Sequence, residues 1–475
     1  MVCGSCLTTS TQTERPQPVR QRKATLRARV NGDLSLRFTA EALTSYAGLE
    51  IFRRYLQRIR LSARLRHHLR GVDPGGDFTS IGVIRLVIAL VVVGGRRLRH
   101  LQYLDRDPVV LRFAGLTVVP SARTVSRWLR RCKSSVRAAL LRASAELVAD
   151  TVVPLKLPCL TVDVDGTVCS TGLQVERAQR GFNPHRRKVP SYYPITAYLA
   201  QTGHILRVKN RSGNVHDGKA SMDFFRDVVR QIRETMGGVP IEFRLDGAFF
   251  RREILAWLES RAEYAIKVPF YHWVGLKALI QERRRWRWIG PDLQAFEARV
   301  WLEPWNREQR VVLFRRKVWH QSPKNYQLDL FDPSNGHWEY SAVTTNKTIG
   351  MHELWHFMAG RGAHEKELSE LKNGFAFDTI PTQSYAANST WQILVVLAHN
   401  LVTSFQIATR ATRRPPSRKS TAIFDIQSVR TLRYELLSRA GILQHPAGRA
   451  TLTLSRNLPT RRLFETIVDR LAHAA

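Results

Sequence analysis

The sequence predicts an α/β fold in which a strand-rich centre is flanked by helical segments. Apolar and polar residues alternate in the centre, most clearly in Leu160–Asp165, as they do in half-buried strands. Residues 40–150 and 385–407 instead carry apolar side chains at helical spacing. The 475 residues, 44% of them hydrophobic, are enough for two or three domains with real cores.

The charge of the chain points to a polyanionic partner. It has 74 Lys and Arg against 39 Asp and Glu, a net charge of +35. Self-repulsion on this scale lowers stability unless a polyanion screens it, and nucleic acid is a commoner partner of this kind than an anionic membrane. The longest apolar run, Leu86–Val93, is far shorter than the roughly 20 residues that span a bilayer. We therefore expect nucleic acid and no membrane as the partner.

The N-terminal part divides into a flexible basic arm, residues 1–36, and a helical region, residues 37–150, that we expect to bind DNA. Within the helical region, Ile51–Arg70 carries seven arginines and no acidic residue along an apolar stripe. Pro120-Ser121 then begins a helix that contains Arg123, Arg127 and Arg130. This helix is either the recognition helix of a helix-turn-helix or an ordinary amphipathic surface helix, and the pattern favours neither.

The centre begins with strands and continues with alternating strands and helices. We predict strands at Leu160–Asp165, Ile195–Leu199, Ile205–Val208, Ile241–Asp246 and Tyr264–Val268, and helices at Ala220–Arg233 and Glu253–Glu259.

The composition of the sequence changes between residues 269 and 336, where six of the eleven tryptophans fall among short strand-like segments. We interpret this segment as an insertion. We then predict a strand at Trp338–Thr345, one long helix from His352 to Lys372, helices at Tyr385–Ile407 and Ser428–Leu437, and a basic linker between these last two.

Four acidic residues fall where a sheet presents side chains to a cleft. Asp163 and Asp165 share one face at the end of the first predicted strand, Asp246 ends a later strand, and Glu365 lies in the long helix. Converging carboxylates of this kind hold Mg²⁺, which supports in-line phosphoryl transfer. One isolated Asp at a strand end is more often a turn or cap residue, so the prediction depends on the ordered set.

Arg361, Glu365 and Lys372 have the spacing i−4, i and i+7, which places them on one face of a helix. We expect Arg361 to pair with Glu365 or with a DNA phosphate, and Lys372 to contact the DNA strand near the metal. Taken alone, the spacing favours the alternative, a solvated helix face with an ordinary ion pair.

These residues resemble a known signature. Arg361-x3-Glu365-x6-Lys372 is similar to the Tyr-x2-Arg-x3-Glu-x6-Lys motif of DDE transposases from bacterial insertion sequences, with Met358 in place of the Tyr. Further segments between residues 160 and 401 agree with the family in order. They are Asp165-Gly166-Thr167, Gly181-Phe182-Asn183-Pro184, Ser191-Tyr192-Tyr193-Pro194, Arg211-Ser212-Gly213-Asn214, Arg244-Leu245-Asp246-Gly247 and Ser384-Tyr385-Ala386-Ala387-Asn388 with Ala398-His399-Asn400-Leu401.

The resemblance implies a ribonuclease H-like core interrupted by a β-rich insertion. The core would consist of residues 151–268 and 337–407, and the insertion would consist of residues 269–336. Residues 408–475 would form a basic linker and a helical C-terminal region.

It also implies the catalytic residues and the partners. Asp165, Asp246 and Glu365 would bind Mg²⁺ or Mn²⁺, and Asp163 would support the site by hydrogen bonding or, as the less favoured alternative, be a ligand itself. The duplex partner would comprise transposon terminal inverted repeats and target DNA, bound by a homodimer. Trp301 or Trp305 would stack on a base flipped from the transposon end, while most of the tryptophans serve packing.

Two other functions fit part of this pattern. One is a ribonuclease H-like nuclease that cuts DNA without joining it, and the other is a catalytically silent DNA-binding regulator. The five cysteines are few and odd in number, which fits a reducing compartment. A reducing compartment and the resemblance together imply a cytoplasmic, nucleoid-associated bacterial protein.

Overall fold

The computed structural model describes residue 36 and residues 38–171, 174–181, 183, 188–215, 217–218, 220–318, 326–327, 337–417 and 420–473. The chain divides into two units, Met1–Glu41 and Ala42–Ala475. The predicted flexible arm, residues 1–36, lies outside the described residues except for its last position. All elements named below belong to the second unit.

Helices dominate residues 49–152. The Arg-rich stretch forms two helices, because the chain turns at Arg60, whose φ of 53° is left-handed. The third helix is almost wholly apolar and buried, so it forms the centre of this region. The helices are α1 (Leu49–Arg58), α2 (Leu61–Leu69), α3 (Ser80–Val92), α4 (Pro108–Ala114), α5 (Ala122–Arg131) and α6 (Ser134–Val152), with 3₁₀ turns at Leu98–Leu104 and Val153–Leu155.

A ten-stranded mixed sheet organises the rest of the unit. Its order is β3-β2-β1-β4-β5-β9-β8-β7-β6, and the short strand Tyr326–Gln327 pairs with β9. The strands are β1 (Leu160–Gly166), β2 (Ile195–Leu199), β3 (Ile205–Lys209), β4 (Ile241–Leu245), β5 (Glu263–Lys267), β6 (Arg287–Gly290), β7 (Leu293–Leu302), β8 (Arg307–Val318) and β9 (His337–Thr345).

Strand direction changes within the sheet. Strands β1, β2 and β3 are antiparallel neighbours, whereas β1 pairs with β4, and β4 with β5, in parallel. Helices α7 (Met222–Met236) and α8 (Arg252–Glu259) form the crossovers that parallel strands require. The alternation in β1 has the predicted effect, since Val162 and Val164 enter the hydrophobic core while Asp163 and Asp165 face the other side.

The predicted β-rich insertion is continuous with this sheet. Strand β9 pairs with β5 on one side and with β8 on the other, so β8, β7 and β6 extend the same hydrogen-bonded surface. The strands are also longer than the short pieces we predicted, since β7 has 10 residues and β8 has 12. A short helix, α9 (Leu276–Glu282), precedes them.

The prediction of one long helix from His352 to Lys372 is wrong. The chain forms two helices, α10 (Met351–Ala359) and α11 (Gly362–Phe375), which are separated at Gly360 and Arg361. A Cβ atom on Gly360 would lie 2.2 Å from Nη1 of Arg244. The break therefore lies where a guanidinium from β4 reaches the helix, a contact that helical spacing does not reveal.

Helix α12 (Tyr385–Thr409) is the longest helix among the described residues and lies in the core. It is long and apolar enough to cross a membrane, but 89% of its most apolar window is buried inside the protein. Its polar residues make internal contacts, as when Asn400 Oδ1 accepts from the Ile205 amide at 2.9 Å. The burial identifies α12 as a core helix that joins the sheet to the N-terminal helices.

The C-terminal region contains strands that we did not predict. The predicted basic linker begins with a short strand, Thr412–Arg413, that pairs with Phe424–Asp425. A second small sheet joins the two ends of the unit, because Leu43–Thr44 pairs with Gly441–Gln444 and that strand with Thr451–Leu454. The helices here are α13 (Val429–Leu432), a π-helical turn Arg433–Leu437, and α14 (Leu458–His473).

Candidate active site

The ends of two parallel strands bring Asp165 and Asp246 to one edge of the sheet. Val164 in β1 pairs with Leu245 in β4, so the next residue of each strand is an aspartate on the same row. Asp165 Oδ2 accepts from Arg361 Nη2 at 2.7 Å, and its Oδ1 accepts from the Gly166 amide at 2.9 Å. Asp246 is half-exposed, and Lys267 Nζ from β5 lies 3.9 Å from its Oδ1.

The environment of Asp165 opposes its ionisation. Burial is the main cause, the charges of Asp217 and Asp246 add to it, and Arg361 opposes it. Together they raise the pKa of Asp165 to about 7. A buried carboxyl group beside two others is a place where a further cation is stabilised.

Asp163 makes a buried ion pair. Arg244 Nε donates to Asp163 Oδ1 at 2.6 Å and Arg244 Nη2 donates to Oδ2 at 2.7 Å, and both side chains are 0% exposed. Arg244 also donates to the Phe357 carbonyl and to Thr421 Oγ1. Both carboxylate oxygens of Asp163 are thus engaged with a side chain that ties β1 and β4 to α10, a placement that does not favour the less preferred assignment of Asp163 as a metal ligand.

Arg361 lies at the centre of the acidic residues. It precedes α11, its side chain is buried, and Asp165, Asp246, Asp163 and Glu365 all act on its charge. Glu365 lies in the first turn of α11 and is 70% exposed, with Oε1 at 3.8 Å from Arg361 Nη1. Arg361 and Glu365 therefore meet as the spacing predicted, although not within one helix.

Lys372 lies in the last turn of α11, at the opposite end from Glu365. Its charge acts on the buried Cys169 thiol, and its carbonyl accepts from Arg96 Nη1 at 2.9 Å. The structure does not group Lys372 with Arg361 and the carboxylates, and its predicted contact with DNA stays a prediction.

A second cluster beside Asp165 was not predicted. Asp217 accepts from Tyr193 Oη at 2.7 Å and from Arg211 Nη2 at 2.6 Å, and all three side chains are largely buried. A Cβ atom on Gly166 would lie 2.2 Å from Asp217 Oδ1, so the cluster packs on the backbone next to Asp165. The family-like segments Ser191–Pro194 and Arg211–Asn214 supply Tyr193 and Arg211, but their sequences did not indicate that they meet.

Comparison with known proteins identifies the family. A family model described as transposase DDE domain group 1 matches residues 27–475. The chain belongs to this family. The predicted resemblance to DDE transposases is thereby confirmed.

Solved structures and curated proteins add little to this family assignment. The chain is similar to a solved structure described as a cryo-EM structure of a piggyBac transposase synaptic complex with hairpin DNA, at 11% identity over 90% of this chain and 85% of that one. The TM-score of 0.37 marks a loose similarity. No curated protein matched the chain.

The DDE domain is a metal-dependent type, and the donor chemistry here fits a divalent cation. In the part of the chain that the structure describes, no three His, Cys, Asp or Glu side chains are arranged to hold a metal ion. Arg361 instead donates directly to Asp165 and supplies positive charge among the acidic residues. Asp165 and Asp246 nevertheless offer oxygen donors from neighbouring strand ends, which is the chemistry that Mg²⁺ and Mn²⁺ prefer.

The two candidate tryptophans occupy different environments. Trp305 packs against Phe250 and Trp273, with ring centroids 4.6 and 5.3 Å apart, beside an open cavity of about 720 Å³ that Gly247 also lines. One lining residue of this cavity, Gly247, thus directly follows Asp246 in the chain. Trp301 is 51% exposed on β7, and it does not line this cavity.

The predicted helix after Pro120 is confirmed as α5. Ser121 Oγ caps it by accepting from the Thr124 amide at 3.1 Å. Val125, Trp128 and Leu129 are buried, whereas the three candidate arginines, Arg123, Arg127 and Arg130, are all exposed. Their spacing of four and three residues places them on one solvent-facing side, and their contact with DNA stays a prediction.

Proposed function

We propose that this protein is the transposase of a bacterial insertion sequence, which cleaves DNA at the transposon ends and joins the freed ends to target DNA. Membership of the DDE transposase family supports the reaction class. The observation that carries the proposal is the grouping of Asp165, Asp246 and Glu365 around Arg361 at one edge of the sheet.

The catalytic residues would belong to a ribonuclease H-like core made of residues 151–268 and 337–407. The strand order β3-β2-β1-β4-β5 supports this assignment, with three antiparallel strands followed by two parallel ones. The carboxylates lie at the carboxyl ends of β1 and β4, where open α/β sheets present their ligands.

Asp165 and Asp246 would hold Mg²⁺ or Mn²⁺, and Glu365, which is exposed 3.8 Å from Arg361, would turn towards them to complete the ligand set. When bound, such an ion activates the attacking oxygen and stabilises the leaving oxygen of an in-line phosphoryl transfer. The side chains of the protein orient the DNA for this step. Lys267 is half-exposed beside Asp246 and offers an ammonium group to a non-bridging phosphate oxygen. Arg361, held by Asp165, keeps the carboxylates close together by reducing their mutual repulsion.

The reaction has two displacements at phosphorus. In the first, water attacks the phosphate at the transposon end, the bond to the 3′ oxygen breaks, and that oxygen leaves as a 3′-hydroxyl. In the second, this hydroxyl attacks a target phosphate, so that a new phosphodiester forms and a target 3′-hydroxyl is released. No oxidant or cofactor beyond the cation is required.

DNA recognition would use the N-terminal helices and the aromatic cavity. Arg123, Arg127 and Arg130 on α5 are exposed and would contact the terminal inverted repeats. Trp305 is a better base-stacking candidate than Trp301, because its aromatic group lines a cavity that also includes Gly247, the residue after Asp246. Two transposon ends have to be held together, so we propose a homodimer on DNA in the cytoplasm, associated with the nucleoid.

The test is cleavage and joining of a DNA fragment that carries the flanking ends of the element. We expect wild-type protein with Mg²⁺ to do both, and Glu365→Gln to bind the fragment but to lose at least ~10²-fold in rate, the loss typical of removing one group that stabilises transition-state charge. Glu465→Gln is the matched control, because Glu465 is also exposed and pairs with an arginine four residues earlier. It should leave the rate unchanged.

The outcomes separate the three functions. Cleavage and joining that both disappear in Glu365→Gln support a transposase. Cleavage without joining by the wild-type protein indicates a nuclease. Binding without chemistry in every variant indicates a silent regulator.

A further inference from the structure

A basic turn follows the buried helix α3 and has no part in the site described above. The sequence Gly94-Gly95-Arg96-Arg97-Leu98-Arg99 leaves α3 sharply, since Gly94 has a φ of 104° and a Cβ atom on Gly95 would lie 2.3 Å from the Leu90 side chain. Glycine at both positions lets the chain reverse against the end of α3. We call residues 96–99 the arginine turn.

Arg96 ties this turn to the C-terminal end of α11, the helix that carries Glu365. Its Nη1 donates to the carbonyls of Lys372 and Asn373 at 2.9 and 3.1 Å, and its Nη2 donates to Asp378 Oδ1 at 2.7 Å. These contacts satisfy carbonyls at the C-terminal end of α11 and neutralise a carboxylate. The turn is thus held at the opposite end of the helix from Glu365.

The other two arginines of the turn are exposed. Neither Arg97 nor Arg99 forms an ion pair with a carboxylate in the described part of the chain. Two guanidinium groups without an acidic partner keep their charge available to an external anion.

The turn forms one wall of a cleft of about 660 Å³. Ala122 and Ser126 of α5 also line the cleft, as do Asp378 and Thr379, which follow α11 in sequence. Asp378 is the acidic residue in this lining, and Arg96 neutralises it. Arginine and hydroxyl side chains without a free acid are the lining that phosphate oxygens require.

The position of the cleft connects two parts of the proposed DNA path. Arg123 and Arg127 are exposed on α5 and directly follow Ala122 and Ser126, which line the cleft. At the other side, the chain at Lys372 lies seven residues beyond Glu365, about 10 Å along the axis of α11. The cleft therefore lies between the proposed recognition helix and the proposed catalytic glutamate.

We propose that this cleft binds the phosphate backbone of the duplex between the sequence recognised by α5 and the bond that is cut, with Arg97 and Arg99 as the phosphate contacts. The inference rests on the proposed function for its partner, DNA. The roughly 10 Å between Glu365 and Lys372, whose carbonyl Arg96 holds, corresponds to about three phosphates at 3.4 Å each along one strand, so we expect these contacts about three or more base pairs from the cleaved bond.

Salt-dependent binding of the transposon-end fragment tests the inference. Each phosphate contact contributes about 0.9 to the slope of log K against log salt, so the double variant Arg97→Gln/Arg99→Gln should reduce the slope by about 1.8. Arg226→Gln/Arg230→Gln is the matched control, because it removes the same charge from exposed positions of α7, which packs on the other face of the sheet. The control should keep the wild-type slope.

Two additional measurements make the result specific. Arg97→Lys/Arg99→Lys keeps the charge and should restore most of the slope. Ethylation of individual phosphates should interfere with wild-type binding about three or more base pairs from the cut, and this interference should be absent in the glutamine variant. Thermal unfolding should be the same in all variants, because the substituted side chains are exposed.

The outcomes are distinct from those for the proposed function. An unchanged slope in the glutamine variant, or an equal reduction in the control, overturns the inference while cleavage by the wild-type protein leaves the transposase assignment intact. Failure of the wild-type protein to bind the fragment overturns both.

Discussion

Replacement of Asp163 distinguishes a structural ion pair from a metal ligand. Asp163 and Arg244 are both fully buried, and two hydrogen bonds of 2.6 and 2.7 Å join them. Asp163→Asn removes the negative charge and leaves the Arg244 guanidinium buried without its counter-ion. Breaking a buried pair in this way costs about 3–5 kcal/mol.

The expected change in melting temperature follows from chain length. An unfolding entropy of about 2.1 cal/mol/K per residue gives roughly 1 kcal/mol/K for a protein of this size, so Tm should fall by about 3–5 °C. Circular dichroism during heating measures this fall. Asp223→Asn is the control, because Asp223 pairs with Arg226 at the surface, and its loss should change stability by less than about 0.5 kcal/mol.

A double variant isolates the pair. Asp163→Asn/Arg244→Gln removes both charges, so it should be less destabilised than the sum of the two single variants, by about 0.5–3 kcal/mol. The Mg²⁺ concentration required for DNA cleavage should stay at the wild-type value in Asp163→Asn. The reasoning is refuted if Asp163→Asn melts within 1 °C of wild type but needs much more Mg²⁺, because a ligand and not a structural ion pair would then have been lost.

The remaining predictions concern the tryptophans and a buried histidine. Trp305→Ala should lower stability by about 1–3 kcal/mol and Trp301→Ala by less than about 0.5 kcal/mol, because of these two residues only Trp305 packs in an aromatic group. If Trp305 stacks on a DNA base, Trp305→Ala should lose more DNA-end processing than its loss of stability explains. Equal losses of processing and folding would contradict that role. Burial lowers the pKa of the His399 imidazole, but the charge and hydrogen bond of Glu367, together with Asn400 and Glu370, outweigh it, so the folded-state pKa is above the usual value. This contribution to stability is complete below about pH 6.5 and is lost as the pH rises through the raised pKa; Tm measured from pH 6 to 9 should therefore fall in wild type, and a fall of the same size in His399→Gln would exclude the Glu367 pair as its cause.

The sequence predicted features that depend on local pattern. The alternation of apolar and polar residues predicted the bounds of β1 and β4 to within one residue. It also placed Asp165 and Asp246 correctly at strand ends. The capping serine and apolar spacing likewise gave α5. In each of these cases, burial of one face is determined by residues that are close in sequence.

Features that depend on distant contacts were missed. The helix break at Gly360 reflects the Arg244 side chain from a strand more than a hundred residues earlier. Asp217 was not singled out because only the fold brings it to Asp165 through Tyr193 and Arg211. Periodicity also does not specify which strands pair, so the insertion strands were predicted as a separate region although they extend the main sheet.

The continuous sheet has a mechanical consequence. Strand β9 pairs with β8 over residues 337–344 and with β5 at its last three residues, so a hinge between the core and the 287–318 strands would have to break backbone hydrogen bonds. Under the proposed function, a duplex bound on this side would therefore adapt its own shape to the sheet. Bending 20–30 base pairs by 40–90° costs about 1–6 kcal/mol, so the deformability of the DNA would then help to determine which ends are accepted.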